Sequence, residues 1–339
     1  MRYKGLFALL FVLFLGADEV RAQEPDGSGG EYWSPYYLVD YGLGAGGLLL
    51  ELFYRGEPRQ NALIGPSFDP GDPAAILDPR YSASLGSPFV PEHEWTVPNN
   101  WLQMAAYGQV LFVSGHEVLA RLGTGQDISA QRLHHSMLVA FQATAVNAGL
   151  SRVVKSFTGR LRPDFQDRVL HVYCSLPDQQ GLDCSNVDPA RLIEDPEEAL
   201  EELKEGRYSF MSGHASNAML VATNLALQTG GLWVWGENAT PASRLAGAGA
   251  IAVFYGLGAF SGISRTSLMD NVHHTSDVIA GSIAGIAIAN LFYWLHFDTS
   301  GNPRSSHWLE GGRGETSRLG VTDLRAGFGG ASIAISGSF

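Results

Sequence analysis

Six long stretches of the chain are apolar, nearly uncharged and free of strict alternation: 38–53, 101–122, 136–154, 215–235, 245–263 and 278–295. Their length and their Ala, Leu and Gly content favour helices over strands, and no hairpin punctuation divides them. The pattern predicts an all-α fold, a helical bundle of about six helices. The polar segments between them differ in kind. Residues 23–37 form a Gly-rich leader, and 55–100 hold eight of the sixteen prolines and read as loop. A polar excursion covers 164–207. Within it Asp195 is placed to cap a helix, Pro196 to take its first position, and an acid follows to close a capping box. The segment 196–205 (PEEALEELKE) is therefore predicted as a short acidic helix whose charges face solvent. Residues 298–339 are a Gly- and Ser-rich tail. Its last residues alternate like one strand of a membrane barrel, but no companion segments exist, so the tail reads as flexible or as a small hairpin.

With 339 residues and 45% apolar content, the chain has ample material for a buried core. The N-terminus carries Arg2 and Lys4, an apolar run over 5–17, and small residues before Gln23. Residues 1–22 thus read as a secretory signal, since the run is shorter than the roughly 20 residues a membrane helix needs. Cys174 and Cys184 lie in a polar segment without metal-ligand spacing, which in an exported protein predicts a local disulfide. The net charge of −12 excludes general attraction to nucleic acid or to an anionic surface. Any anion must be captured by a local cluster of cations.

Three motifs supply such a cluster. The first, 155–163 (KSFTGRLRP), sets Lys155 and Arg162 seven apart, on one face if the helix continues as far as Pro163, with Arg160 pointing elsewhere. The second, Ser212, Gly213 and His214, precedes an apolar run and so falls at a helix N-terminus, where free N–H groups and the helix dipole favour an anion. The same tripeptide at 114–116 lies inside an apolar run and reads as helix interior. The third, 264–277 (SRTSLMDNVHHTSD), adds Arg265 and places His273 four residues before Asp277, a spacing that lets the carboxylate orient the imidazole. His274 reads as structural or substrate-facing.

In this order the motifs resemble the signature of the type 2 phosphatidic acid phosphatase and vanadium haloperoxidase superfamily, K-x6-RP, PSGH and SR-x5-H-x3-D, over roughly residues 101–296. The resemblance implies a metal-independent phosphomonoesterase that works through a phosphohistidine on a lipid or small-molecule phosphate. It implies no cofactor, with vanadate fitting the pocket as a phosphate mimic. Lys155, Arg162 and Arg265 then look like the phosphate clamp, Ser212 and Gly213 like hydroxyl and backbone donors, His214 like the general acid, His273 like the nucleophile and Asp277 like its orienting partner.

Two departures stand out. Met211 occupies the position of the signature proline, and seven residues separate Arg265 from His273 where the signature has five, as if Leu268 and Met269 were inserted. The alignment requires a loop there, because in continuous helix His273 would turn by about 200° from its expected face. A vanadate-dependent haloperoxidase, and an envelope binding protein whose pocket has degenerated, are the alternatives. The segments 215–236 and 245–264 are long enough to span a membrane, but the mean hydropathy of +0.01 and the polar residues Gln103, Gln109, His116 and Glu117 oppose that reading. A cleaved signal and an oxidised Cys174–Cys184 loop favour a periplasmic bundle, soluble or resting on the membrane, with an integral membrane protein as the alternative. The expected organisation is a signal over 1–22, a leader, first helix and Pro-rich loop over 23–100, a catalytic bundle over 101–297, and the tail.

Overall fold

The computed structural model describes residues 37–54, 56–58, 63–64, 115, 130–175, 184–185, 187, 189, 192–193, 195–269, 271–304 and 307. The signal, most of the Pro-rich loop, the expected helix over 101–122 and nearly all of the tail lie outside these residues. So do Ser114 and His116 of the duplicated tripeptide, while Gly115 between them is helical. The described residues are all-α, with no strand among them. Seven α-helices appear: α1 (Tyr37–Phe53), α2 (Ala130–Thr158), α3 (Phe165–Ser175), α4 (Pro196–Glu205), α5 (Gly213–Thr229), α6 (Pro241–Ile263) and α7 (Thr275–His296). A π-helical turn, Gly230–Val234, extends α5.

Five of these match the apolar stretches read from the sequence, and α4 is the acidic helix expected within the polar excursion. Asp195 caps α4 by accepting from the Glu197 N–H, and Pro196 begins it. The excursion holds a further helix, α3, which begins just after Pro163. Its apolar residues Phe165, Val169 and Val172 are buried while Gln166 and Asp167 are not, so it is too short and too polar on average to stand out as an apolar run.

The core lies where α2, α5 and α7 meet. Val139, Ala143, Leu220, Ile288, Phe292 and Tyr293 are buried there. Two glycines one turn apart on α7 let it approach α5 at backbone distance. A Cβ on Gly281 would stand 2.4 Å from the Ser212 carbonyl oxygen, and one on Gly285 would stand 2.1 Å from that of Ser216. Close docking of α7 brings Asp277, in its first turn, against the start of α5.

The helices α2, α5, α6 and α7 alternate in direction, while α1 runs parallel to α2, with Tyr37 against His135 and Gly47 against Ala145. The C-terminus of α2, the N-terminus of α5, the C-terminus of α6 and the N-terminus of α7 therefore share one end of the bundle. Toward the other end, about 20–30 Å from Lys155 along α2, the first turns of α1 are locked to the bundle by buried polar contacts. Asp40 accepts from Gln142 at 3.0 Å and pairs with His307 at 2.7 Å, and Tyr37 meets His135 at 2.5 Å.

Among the described residues three helices, α2 over Gln131–Thr158, α6 and α7, are long and apolar enough to cross a membrane. Large apolar side chains stand exposed along α6 and α7, among them Leu245, Val253, Ile283 and Leu291.

Candidate active site

The first motif does not stay on one helix. α2 ends at Thr158, and Gly159 takes the left-handed conformation with φ of 57°, its N–H donating to the Lys155 carbonyl at 3.1 Å. Lys155 therefore projects from the last turn of α2, while Arg162 lies on the irregular segment beyond it. The expectation of one continuous helix face fails because glycine, and not Pro163, terminates the helix. The two cations converge by another route. The segment after Gly159 runs beside the segment after α4, with the Ser209 N–H bonded to the Arg160 carbonyl at 3.0 Å and the Arg162 N–H to that of Gly206 at 2.8 Å.

Ser212 caps α5, its hydroxyl accepting from the Ala215 N–H at 3.4 Å. Its own N–H donates to the Asp277 carbonyl at 3.1 Å. Gly213 and His214 thus head the helix, where N–H groups have no intrahelical acceptor. A Cβ on Gly213 would come within 3.7 Å of Lys155 Nζ, so the ammonium stands directly over the start of α5.

Residues 264–274 link α6 to α7 without continuous helix, as the alignment of His273 requires. The loop closes on itself. The His273 N–H donates to the Arg265 carbonyl at 2.9 Å, and Asn271, at φ of 54°, donates to that of Thr266 at 2.8 Å. The extra residues are accommodated on the outside, with Leu268 77% exposed. Arg265 and His273 at the base of the loop are both buried.

These elements bring the motifs together. The charges acting on His273 are Arg162, Lys155, Arg265 and His214, and those acting on His214 are Arg265, Lys155 and Arg162. Burial first, and then these cations, hold the His273 imidazole well below its ordinary pKa, so it is neutral at pH 7. His273 lies deepest, whereas Lys155, Arg162 and His214 remain partly open to solvent. The arrangement is a cationic pocket in an acidic chain, floored by a neutral imidazole.

Asp277 is placed differently from expectation. His273 precedes α7, whose N-cap is His274, so His273 and Asp277 do not share a helix face. The Asp277 carboxylate bonds Arg160 at 2.5 Å, the Ser209 hydroxyl at 2.5 Å and the His274 N–H at 3.2 Å. Nδ1 of His273 has no hydrogen-bond partner among the described residues. Asp277 is thus a hub that joins all three motifs, and its link to His273 runs through the backbone N–H of His274. Arg160, which spacing turned away from the site, is its main partner. His274 is structural, its Nε2 lying 3.1 Å from the Leu161 carbonyl.

Two acids of α4 also depart from the solvent-facing reading. Glu202 pairs with Arg168, which is held by Asp164 as well, and Glu205 bonds Arg162 at 3.2 Å. The expected Cys174–Cys184 disulfide is present on the same side of the bundle as the pocket.

A helical bundle with Lys155, Arg162 and Arg265 gathered around a buried His273 at one end defines the class, and the comparisons show what the chain is similar to. Residues 136–300, just under half of the chain, match the model of the PAP2 superfamily. Phospholipid phosphatase 2 of Bos taurus is 32% identical over 149 residues, 43% of this chain and 46% of the relative. Lipid phosphate phosphatase 1 of Arabidopsis thaliana is 32% identical over 162 residues, 48% and 44% respectively. A PA-phosphatase related-family protein of Dictyostelium discoideum is 24% identical over 275 residues, 79% and 82%. The chain spans about half the length of the first two. No solved structure gives a significant match.

Proposed function

We propose that the protein is a phosphatase of lipid phosphates that needs no metal and works through a phosphohistidine on His273. The observation that carries this reading is the convergence of Lys155, Arg162, Arg265 and His214 on one buried, neutral imidazole. The three cations and the N–H groups at the head of α5 would hold the phosphoryl oxygens and stabilise the charge that gathers on them in the transition state. The neutral His273 ring attacks phosphorus as the bond to the leaving oxygen breaks; His214, which burial and the cations keep neutral in the empty pocket, takes up a proton once the phosphoryl anion offsets those cations, and gives it to that oxygen. In the second half, His214 takes a proton from water as the water oxygen attacks phosphorus, and orthophosphate and free His273 result. Asp277 serves as a positioning residue, fixing the chain at His274 beside the nucleophile.

The relatives that carry phospholipid phosphatase and lipid phosphate phosphatase as names support a lipid substrate over a halide. So does the position of the pocket at one end of long apolar helices, the level at which a head group would lie. We place the pocket on the non-cytoplasmic side of a membrane, because the disulfide on the same side needs an oxidising compartment.

The test is hydrolysis of a panel of lipid and soluble phosphomonoesters in the presence of a chelator, with vanadate as inhibitor. Lipid phosphates should be preferred, and His273→Ala should abolish turnover while the fold persists. Chelator-sensitive turnover, or near-wild-type activity of the variant, would defeat the mechanism.

A further inference from the structure

An acid stands at the last residue of α4, where the helix dipole favours a cation. Glu205 is held there by the pocket: its carboxylate bonds Arg162 at 3.2 Å, with Lys155, Arg152 and Arg168 as the other cations acting on it. Burial alone would raise its pKa, but these four cations outweigh burial and keep the group an anion below its ordinary value. The backbone beside it is fixed. The Gly206 carbonyl accepts the Arg162 N–H, and a Cβ on Gly206 would meet Phe165 at 2.7 Å, so α4 cannot shift relative to Arg162 without disturbing that packing. The side chain is not fixed in the same way. It is 42% exposed against 14% for Arg162, and it can swing to solvent by rotamer change.

We propose that Glu205 is a tethered anion of the phosphate pocket: its carboxylate holds Arg162 while the pocket is empty and competes with the phosphoryl group for that guanidinium. This rests on the assignment of Arg162 to phosphate binding. The anion keeps Arg162 oriented without a ligand, and its displacement weakens the binding of every phosphoryl species, substrate and orthophosphate product alike. The effect falls on affinity. A bound substrate has already displaced Glu205, so the chemical step does not feel it.

The experiment measures dissociation constants of orthophosphate and orthovanadate by titration calorimetry on the full chain, for wild type, Glu205→Gln and Glu205→Asp. KM and kcat for a phosphomonoester are measured in parallel. Glu205→Gln should tighten both anions about two- to fivefold, the size expected of a part-exposed ion pair, and lower KM by the same factor, with the effect in KM and not in kcat. Glu205→Asp keeps the charge but is one methylene too short to reach Arg162, so it should show at least half of that tightening. Unchanged or weaker anion binding in Glu205→Gln overturns the proposal. So does tightening in Glu205→Gln with wild-type binding in Glu205→Asp, which would mean charge repulsion through space. Anion binding without turnover in the wild type would sink the phosphatase reading, while the dissociation constants would still decide the role of Glu205.

Discussion

Arg160 and Asp277 form a pair that can be tested by a double-mutant cycle. Asp277 is fully buried, and Arg160, whose side chain is 14% exposed, lies 2.5 Å away. Replacing Arg160 with Ala leaves the carboxylate with only the Ser209 hydroxyl and the His274 N–H as donors. Breaking a buried ion pair from one side costs about 3–5 kcal/mol, and the two remaining donors put this case near the lower end, about 3 kcal/mol. Asp277→Asn should rescue the loss. One carboxylate oxygen serves both Ser209 and His274, while the other faces Arg160. An amide can put its oxygen in the first place and its NH2 in the space Arg160 vacates, so no charge is stranded. Thermal unfolding in detergent micelles reads the outcome. Arg160→Ala should lower Tm by about 6–12 °C, and the double variant should recover enough for a coupling of about 2 kcal/mol. Additive single effects, within about 0.5 kcal/mol, would refute the hub assigned to Asp277.

Three further predictions concern His273 and its loop. Because burial and four neighbouring basic groups depress the His273 pKa, the acid limb of kcat/KM should fall below pH 6.5, once the substrate's own second ionisation is taken into account; a limb at or above 6.5 would contradict the pocket electrostatics. The same depressed group contributes stability that is present above its unfolded value near 6.5 and is lost as pH falls below it, since the unfolded chain then binds the extra proton. Unfolding midpoints that rise on acidification from pH 7 to 5 would contradict this. Deleting Leu268 and Met269 together should leave kcat/KM within about threefold and stability within about 1 kcal/mol, because the loop is closed at its base by the His273–Arg265 backbone bond. A folded but inactive deletion would show that the bulge itself shapes the site.

The long helices and the order of the three motifs were legible because apolar length and residue type are local properties. What spacing could not supply was the path between motifs. Lys155 and Arg162 meet through the pairing of segments near 160 and 209, which are about fifty residues apart in sequence. The signal for the true end of α2 was available in Gly159, a residue type favoured just past a helix end; taking it over Pro163 would have freed Arg160 from the helix face. The contacts of Ser209 and Glu205 with the site carried no local sign at all. Their partners, Asp277 and Arg162, lie 68 and 43 residues away. Nor was the Gly281 and Gly285 pair distinguishable from the other small residues of α7 until the Ser212 and Ser216 carbonyls were found against it.

The mean hydropathy of +0.01 weighed against a membrane protein because it averages unlike parts. The leader, the Pro-rich loop, the excursion and the tail are polar, whereas the helical segments Pro241–Ile263 and Thr275–His296 have hydropathies of 1.5 and 1.8. A soluble bundle would turn its apolar residues inward, yet Leu245, Val253, Ile279 and Ile283 are each more than half exposed. A bilayer removes that conflict without asking for a missing protein partner. It also fixes where the chemistry must lie. Helices that alternate in direction put the links 159–212 and 264–274 on one side and the link 230–240 on the other. Lys155, Arg162, His214, Arg265 and His273 all belong to the first side, as does the disulfide. If the long helices span, the oxidising compartment and the cationic pocket share one face of the membrane. A thiol reagent that cannot cross the bilayer, added to intact cells after reduction, should therefore label Cys174 and Cys184; labelling only after permeabilisation would place the pocket on the opposite side.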